Sequence, residues 1–233
     1  MKHGKRYKSI VEKVNKEMLY TLEEAVELIK GTATAKFDET IETSVRLGID
    51  PKKSDQIVRG NVLLPHGTGK TVKILVFAEG DKVKEAEEAG ADYFGAEELI
   101  EKISKGWFDF DVVLAVPNMM RKIGKLGKTL GTKGLMPNPK RGTVTENIAE
   151  AVQSIKKGRI SFKNDKTGIV HAIVGKASFT NNKIKENIIE LVREIIRTKP
   201  SSAKGTYLKS IAVSSTMGIG VKIDPKNIQS LLK

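Results

Sequence analysis

Between residues 73 and 157, short apolar runs alternate with amphipathic segments about ten residues long. The predicted strands are 73–78, 91–94 and 111–116, and the predicted helices are 82–89, 96–105 and 144–157. Gly90 and Gly106 follow the first two helices, and Pro117 ends the third strand. Strands that alternate with helices of this length are typical of a parallel sheet, so the pattern predicts a three-layer α/β domain.

The two ends of the chain show a different pattern, in which single apolar and polar positions alternate. The apolar positions are Ile41, Val45, Leu47 and Ile49, and the polar ones are Thr40, Glu42, Ser44 and Arg46. This alternation predicts a strand with one apolar and one polar face. Thr21 with Glu24 predicts a capping box, and Thr180 is predicted to cap a second helix. Further predicted elements are helices 22–30 and 181–197, strands 57–64, 207–215 and 219–223, and a hairpin of 160–163 with 169–175 across residues 164–168.

These two patterns predict two domains, one α/β and one α+β. Residues 1–67 and 159–233 form a discontinuous α+β domain with an antiparallel sheet, and residues 68–158 form an α/β domain inserted into it. The crossings fall at Pro65–Gly69 and at Lys157–Gly158, which are flexible sequences suited to a hinge.

The charge of the chain favours a polyanionic partner. Its 41 Lys and Arg against 28 Asp and Glu give a net charge of +13. The predicted insert contains 15 basic and 13 acidic side chains, so most of the excess belongs to the flanking domain. The chain has no run of about 20 apolar residues, which argues against a membrane span, and its basic N-terminus lacks the apolar run of a secretory signal. Cysteine is absent, and a cytoplasmic protein is expected.

A basic tract, residues 112–145, contains no acidic side chain. Its basic residues are Arg121, Lys122, Lys125, Lys128, Lys133, Lys140 and Arg141. Five glycines in the same tract allow the backbone to approach a partner closely, and unpaired lysines attract phosphate. The tract therefore favours contact with nucleic acid. A mobile, solvated loop without a partner is the alternative interpretation.

The sequence contains no convincing nucleotide or catalytic site. Gly67–Thr71 resembles the end of a phosphate-binding loop, but Leu64 stands where that motif needs glycine, so a hinge is the better interpretation. Glu79 and Asp81 would repel a pyrophosphate at the first strand–helix turn of the insert. The histidines at 3, 66 and 171 have no metal-ligand spacing, and His171 is predicted to be a packed core residue. No metal and no cofactor are expected.

Two segments of the flanking domain are better candidates for binding. The polar face of the strand near Phe37 carries hydroxyl groups and Glu42, whose carboxylate could accept a hydrogen bond from a ribose 2′-OH. Ser214–Gly220 is a turn of small residues with one methionine, which suits close approach to a sugar–phosphate backbone. A solvated strand face and an ordinary hairpin turn are the alternatives.

Several rare strings occur in order from one end of the chain to the other. They are Lys2–Tyr7, Thr34–Thr40, Leu126–Gly127, Gly134–Lys140, Gly142–Val144, Asn164–Gly168, Val174–Phe179, Lys204–Tyr207 and Thr216–Gly218. With these strings the chain resembles the L-one family of bacterial large-subunit ribosomal proteins. The resemblance implies a Rossmann-like inserted domain and a protein that binds RNA without performing chemistry.

The resemblance also implies specific partners. They are a mobile stalk of the 23S rRNA near the tRNA exit site, exit-site tRNA whose deacylated form is released, other large-subunit components, and the protein's own operon mRNA, whose translation is repressed. A monomer is expected off the ribosome. The implied RNA-binding residues are Lys36, Phe37, Thr40, Glu42, Ser44, Lys166, Gly168, Ser210, Thr216, Met217 and Gly218. The basic tract is expected to be a secondary RNA contact. An enzyme built on the insert and a general DNA-binding protein stay open as rivals.

Overall fold

The computed structural model describes residues 4–232, which contain both helices and strands, with more residues in helices. The helices are α1 (Lys5–Glu12), α2 (Leu22–Thr32), α3 (Asp81–Glu88), α4 (Glu97–Ser104), α5 (Met120–Ile123), α6 (Gly127–Thr132), α7 (Ile148–Lys156), α8 (Asn181–Arg197) and α9 (Pro225–Leu231). The strands are β1 (Thr40–Leu47), β2 (Arg59–Leu63), β3 (Ile74–Phe77), β4 (Tyr93–Gly95), β5 (Val112–Ala115), β6 (Arg159–Lys163), β7 (Ile169–Lys176), β8 (Leu208–Ser215) and β9 (Val221–Ile223). The mixed fold with an antiparallel sheet that the sequence predicted is confirmed.

The chain divides into two compact units. The first contains the chain up to Gly69 and again from Ile160, and the second contains Lys70–Arg159. The sequence placed its domain boundaries after residues 67 and 158. That each unit folds as an independent domain stays a prediction.

The first unit is built on a four-stranded antiparallel sheet in the order β7-β1-β8-β9. Buried and exposed positions alternate along β1, so its apolar side chains all lie on one face. Helices α2 and α8 cover that face, and their buried residues share one core with Ile41 and Val45. The opposite face of β1 stays open to solvent at Glu42 and Arg46.

The ends of these two helices agree only in part with the sequence prediction. The capping box of α2 is confirmed, because Thr21 Oγ1 accepts from the Glu24 N–H and the Glu24 carboxylate accepts from the Thr21 N–H. Thr180 does precede α8, but its side chain makes no capping hydrogen bond.

Within α8, the amide of the buried Asn187 accepts from His66 N–H and donates to the carbonyl oxygens of Gly67 and Val174.

The second unit contains a three-stranded parallel sheet in the order β4-β3-β5. Side chains of β3 point alternately to two cores. Ile74 and Val76 pack with α7 on one face, and Leu75 and Phe77 pack with α4 on the other. This is the layered arrangement that the alternation of strands and helices predicted.

The start of one predicted helix and one predicted hairpin are wrong. The helix predicted from residue 144 begins at Ile148, because Asn147 caps it through the Glu150 N–H and Val144 instead bridges to Ala115 beside β5. The predicted hairpin does not form either. β6 joins β2 in a separate two-stranded sheet while β7 pairs with β1, and the two segments meet at a bridge between Asn164 and Val170 and at the Asp165 N–H, which donates to the Ile169 carbonyl oxygen.

Candidate nucleic-acid interface

The solvent-facing side of the antiparallel sheet carries a set of cross-strand rows. Opposite residues of antiparallel strands project to the same face, so each β1 residue lies between partners on β7 and β8. We call this set the open face; its rows are Ile173–Glu42–Ser214, His171–Ser44–Ala212 and Ile169–Arg46–Ser210. The open face therefore combines hydroxyl groups, apolar side chains and few charges, in agreement with the polar face that the sequence predicted.

Hydrogen bonds between Thr40 and Thr216 form one edge of the open face. The Thr40 N–H donates to Thr216 Oγ1 at 3.0 Å, while the N–H and the hydroxyl of Thr216 both approach the Thr40 carbonyl oxygen, at 3.0 and 3.2 Å. Gly218 closes the turn by donating its N–H to the Ser215 carbonyl oxygen at 3.0 Å. A Cβ atom at Gly218 would clash with the Ser215 hydroxyl, so the turn needs glycine there. The turn of residues 216–218 is thus fixed to the start of β1.

Two large apolar side chains stand in solvent on the segments next to this edge. Phe37 is 54% exposed and Met217 is 52% exposed. Apolar side chains in such positions are suited to contact with a partner rather than to the core. Lys36, beside Phe37, is also exposed.

Glu39, which lies beneath these segments, is not among the residues that the sequence predicted for the site. Its carboxylate is 1% exposed and accepts hydrogen bonds from the N–H groups of Ala35 and Met217, each at 2.9 Å. Burial by itself would raise the pKa of Glu39, but the two amide hydrogen bonds outweigh it and lower the pKa. No sequence pattern indicates this role, because Glu39 precedes the alternating strand and its partner amide is 178 residues away.

His171 is exposed, and the prediction of a packed core histidine is wrong. The register of β7 against β1 places it opposite Ser44, on the solvent side, because its neighbours Val170 and Ala172 point to the core and side chains alternate along a strand. Its Nδ1 lies 3.1 Å from Ser44 Oγ, and its Nε2 lies 3.5 Å from Asp165 Oδ2.

The loop between β6 and β7 has a rigid backbone. Asp165 accepts from the N–H groups of Ile169 and Thr167 at 2.8 Å, and these bonds lower the pKa of its carboxyl strongly. Gly168 has a φ of +78° and is buried, with its carbonyl accepting from the Leu47 N–H. Of the two predicted contacts in this loop, Lys166 is exposed and Gly168 is not.

In the second unit, the first half of the basic tract is helical, so the interpretation of the whole tract as a loop is wrong. Whether the tract has a partner stays a prediction. Most of residues 117–132 form consecutive helical turns, and Met119, Ile123, Leu126 and Leu130 enter the core. Their spacing of three or four residues leaves the cations on the outer side. Arg121, Lys125 and Lys128 are exposed there, and Lys140 is exposed in the segment that follows these turns.

Three of the seven basic side chains in the tract have partners within the same unit. Lys122 Nζ lies 2.5 Å from Glu79 and 3.1 Å from Glu97, and these hydrogen bonds raise its pKa. Lys133 Nζ stacks over the Phe108 ring at 4.3 Å, and Arg141 donates to the Gly134 carbonyl oxygen at 3.4 Å. The seven are therefore not equally available to RNA.

Within residues 4–232, no cluster of three or more His, Cys, Asp or Glu side chains could hold a metal ion. His3 lies outside the described residues. No helix in the same range is both long and apolar enough to cross a membrane. At the carboxyl end of β3, Glu79 and Asp81 flank Gly80, so negative charge stands at the usual phosphate position of such sheets.

A comparison with protein families gives a match that covers most of the chain. The model of the ribosomal protein L1p/L10e family matches residues 29–219. That range includes β1 with the loop before it, the whole second unit, and the turn of residues 216–218.

Proposed function

We propose, since the chain belongs to the ribosomal protein L1p/L10e family, that it recognises RNA through the open face and its edge. The family consists of structural ribosomal proteins rather than enzymes, and its members bind rRNA as large-subunit components in the cytoplasm.

The observation that carries the proposal is the pair of exposed apolar side chains beside a fixed, weakly charged strand face. Phe37 and Met217 can pack on bases or riboses, and Glu42 can accept from a 2′-OH. Recognition by such a face depends on shape and on the ribose. The proposed contacts are Lys36, Phe37, Thr40, Glu42, Ser44, Lys166, Ser210, Thr216, Met217 and Gly218, with Gly168 supporting the backbone beneath them.

In this proposal the second unit makes a secondary contact with the RNA. The exposed cations of the basic tract add electrostatic attraction to rRNA phosphates without selecting a sequence. The two compact units are proposed to be the two domains of the protein, a discontinuous RNA-binding domain and a Rossmann-like insert, joined by a hinge at the glycines near residue 68.

The finer biological roles are proposals that rest on the family. The RNA target would be the mobile 23S rRNA stalk near the tRNA exit site, where the protein assists release of deacylated tRNA next to other large-subunit components. A similar structure in its own operon mRNA would allow the free, monomeric protein to repress translation.

One comparison tests the proposed recognition. The intact protein is titrated with a transcript of the stalk segment and with the deoxy equivalent, each at two salt concentrations. We expect clearly weaker binding to the deoxy form, and a slope of log K against log salt near −4 if about six phosphates are neutralised. Equal binding to both forms would contradict a role of Glu42 in ribose recognition and favour a general nucleic-acid-binding protein.

A further inference from the structure

Glu39 is the only charged residue that is buried among residues 4–232. Its two carboxylate oxygens are used separately: Oε1 accepts from the Ala35 N–H and Oε2 accepts from the Met217 N–H. One amide belongs to the loop that carries Lys36 and Phe37, and the other belongs to the turn after β8. A single side chain thus joins two segments that are far apart in the sequence.

The local charges support an ionised carboxylate at this position. Amide hydrogen bonds lower the pKa of Glu39 in spite of its burial, and the positive charge of Arg6 acts in the same direction. Arg6 also donates from Nη2 to the Met217 carbonyl oxygen at 2.9 Å. The backbone of Met217 is therefore held at two points: its N–H donates to Glu39, and its carbonyl oxygen accepts from Arg6.

We propose that Glu39 is a positioning residue for RNA recognition, which fixes the Phe37 loop and the Met217 turn in one geometry before RNA binds. The inference rests on the proposed function, since both exposed side chains are taken to contact RNA. Glu39 itself is covered and offers no atom to a ligand. Its effect is preorganisation: segments that are already ordered lose less conformational entropy on binding.

The variant Glu39→Gln tests the proposal with almost no change in volume. A glutamine keeps one carbonyl acceptor but turns an NH₂ group toward the other backbone N–H, and the charge is lost. We expect about tenfold weaker binding of the rRNA stalk transcript, because two ordering hydrogen bonds are weakened or lost. The salt slope should stay unchanged, because no phosphate contact is removed.

Asp38→Asn is the matched control. Asp38 anchors the same loop, through the N–H and the hydroxyl of Ser178 at 3.0 and 2.8 Å, and not through the Met217 turn. We expect its RNA affinity to stay within about twofold of wild type, because the asparagine amide can still accept from the Ser178 N–H and donate to the Ser178 hydroxyl oxygen, so the loop stays anchored. A purely structural Glu39 would lower the Tm of Glu39→Gln and leave the affinity of the folded protein unchanged, which would overturn the proposal.

A double-mutant cycle with Met217→Ala tests the route of the effect. If Glu39 acts through the Met217 turn, Glu39→Gln should cost less than about threefold in the Met217→Ala background. The same tenfold loss in both backgrounds would contradict positioning through that turn.

If Glu39→Gln does not fold, the proposal is tested by hydrogen exchange of the backbone amides in the RNA-free wild-type protein. Slow exchange at Ala35 and Met217 before RNA is added supports preorganisation, and protection that arises only with RNA overturns it. Failure of the wild-type protein to bind the transcript would instead remove the proposed function, so the two failures are distinguishable.

Discussion

At the scale of single residues, Thr216 links the turn to the sheet. Its hydroxyl lies within hydrogen-bonding distance of both the N–H and the carbonyl oxygen of Thr40. The substitution Thr216→Val keeps the shape and removes the hydroxyl, so the turn should lose its attachment at that point. We expect RNA binding to weaken by about 1–3 kcal/mol while the unit stays folded, as measured by titration and by circular dichroism.

Thr206→Val serves as the control for this substitution. Thr206 is an exposed threonine just before β8, at the other end of the strand from the turn. Its replacement should leave RNA affinity within about 0.5 kcal/mol of wild type, as is usual for surface changes. Equal affinities for both variants and wild type would remove Thr216 from the proposed site.

Local patterns predicted part of the site at this scale. The alternation along β1 correctly placed Glu42 on the solvent side, because a strand repeats every second residue whatever packs against it. His171 and Glu39 could not be assigned in this way. The exposure of His171 depends on which face of the almost wholly apolar β7 packs on the core, and the partner of Glu39 is an amide from the turn after β8.

At the scale of elements, the cations of the basic tract are of two kinds: some contact a partner within the same unit, and others project into solvent. Lys125 and Lys128 are exposed on consecutive helical turns, whereas Lys122 already contacts Glu79 and Glu97. If the tract touches rRNA phosphates, the double substitution Lys125→Ala/Lys128→Ala should flatten the slope of log K against log salt by about 1.4, which is 0.7 for each lost contact. Binding isotherms at four or more salt concentrations measure that slope.

The control removes the same formal charge from the same unit. Lys122→Ala/Lys102→Ala takes away one paired lysine and one lysine of α4 outside the tract, so the slope should change little. Identical slopes for the two double variants would mean that the tract acts only through net charge, without defined phosphate contacts.

Helices and strands were predicted correctly where the hydrophobic pattern of their own residues determines the secondary structure. The parallel strands β3 and β5 are continuous apolar runs, and α8 has an apolar stripe along its whole length. β6 was misassigned because its sequence fits either neighbour, and its pairing with β2 is decided by tertiary packing. The helical turns at residues 117–132 were not predicted because glycines interrupt them, although the spacing of their apolar residues is helical.

At the scale of the whole molecule, the first unit contains every proposed RNA contact except the basic tract. Its core consists of residues up to Leu64 and from Phe162 onward, so the apolar contacts that stabilise it come from that unit itself. Most of the positive charge also belongs to this part of the sequence. These features predict that the first unit folds and selects RNA without residues 70–159.

A chain in which residues 70–159 are replaced by a short Gly-Ser linker tests this prediction. We expect cooperative thermal unfolding, RNA affinity within about tenfold of the full protein, and a flatter salt slope from loss of the tract. The preference for RNA over its deoxy equivalent should be retained, because the open face and Glu39 are intact. A folded variant that binds RNA and DNA equally would show that the inserted unit takes part in selection, and that specificity is not confined to the sheet.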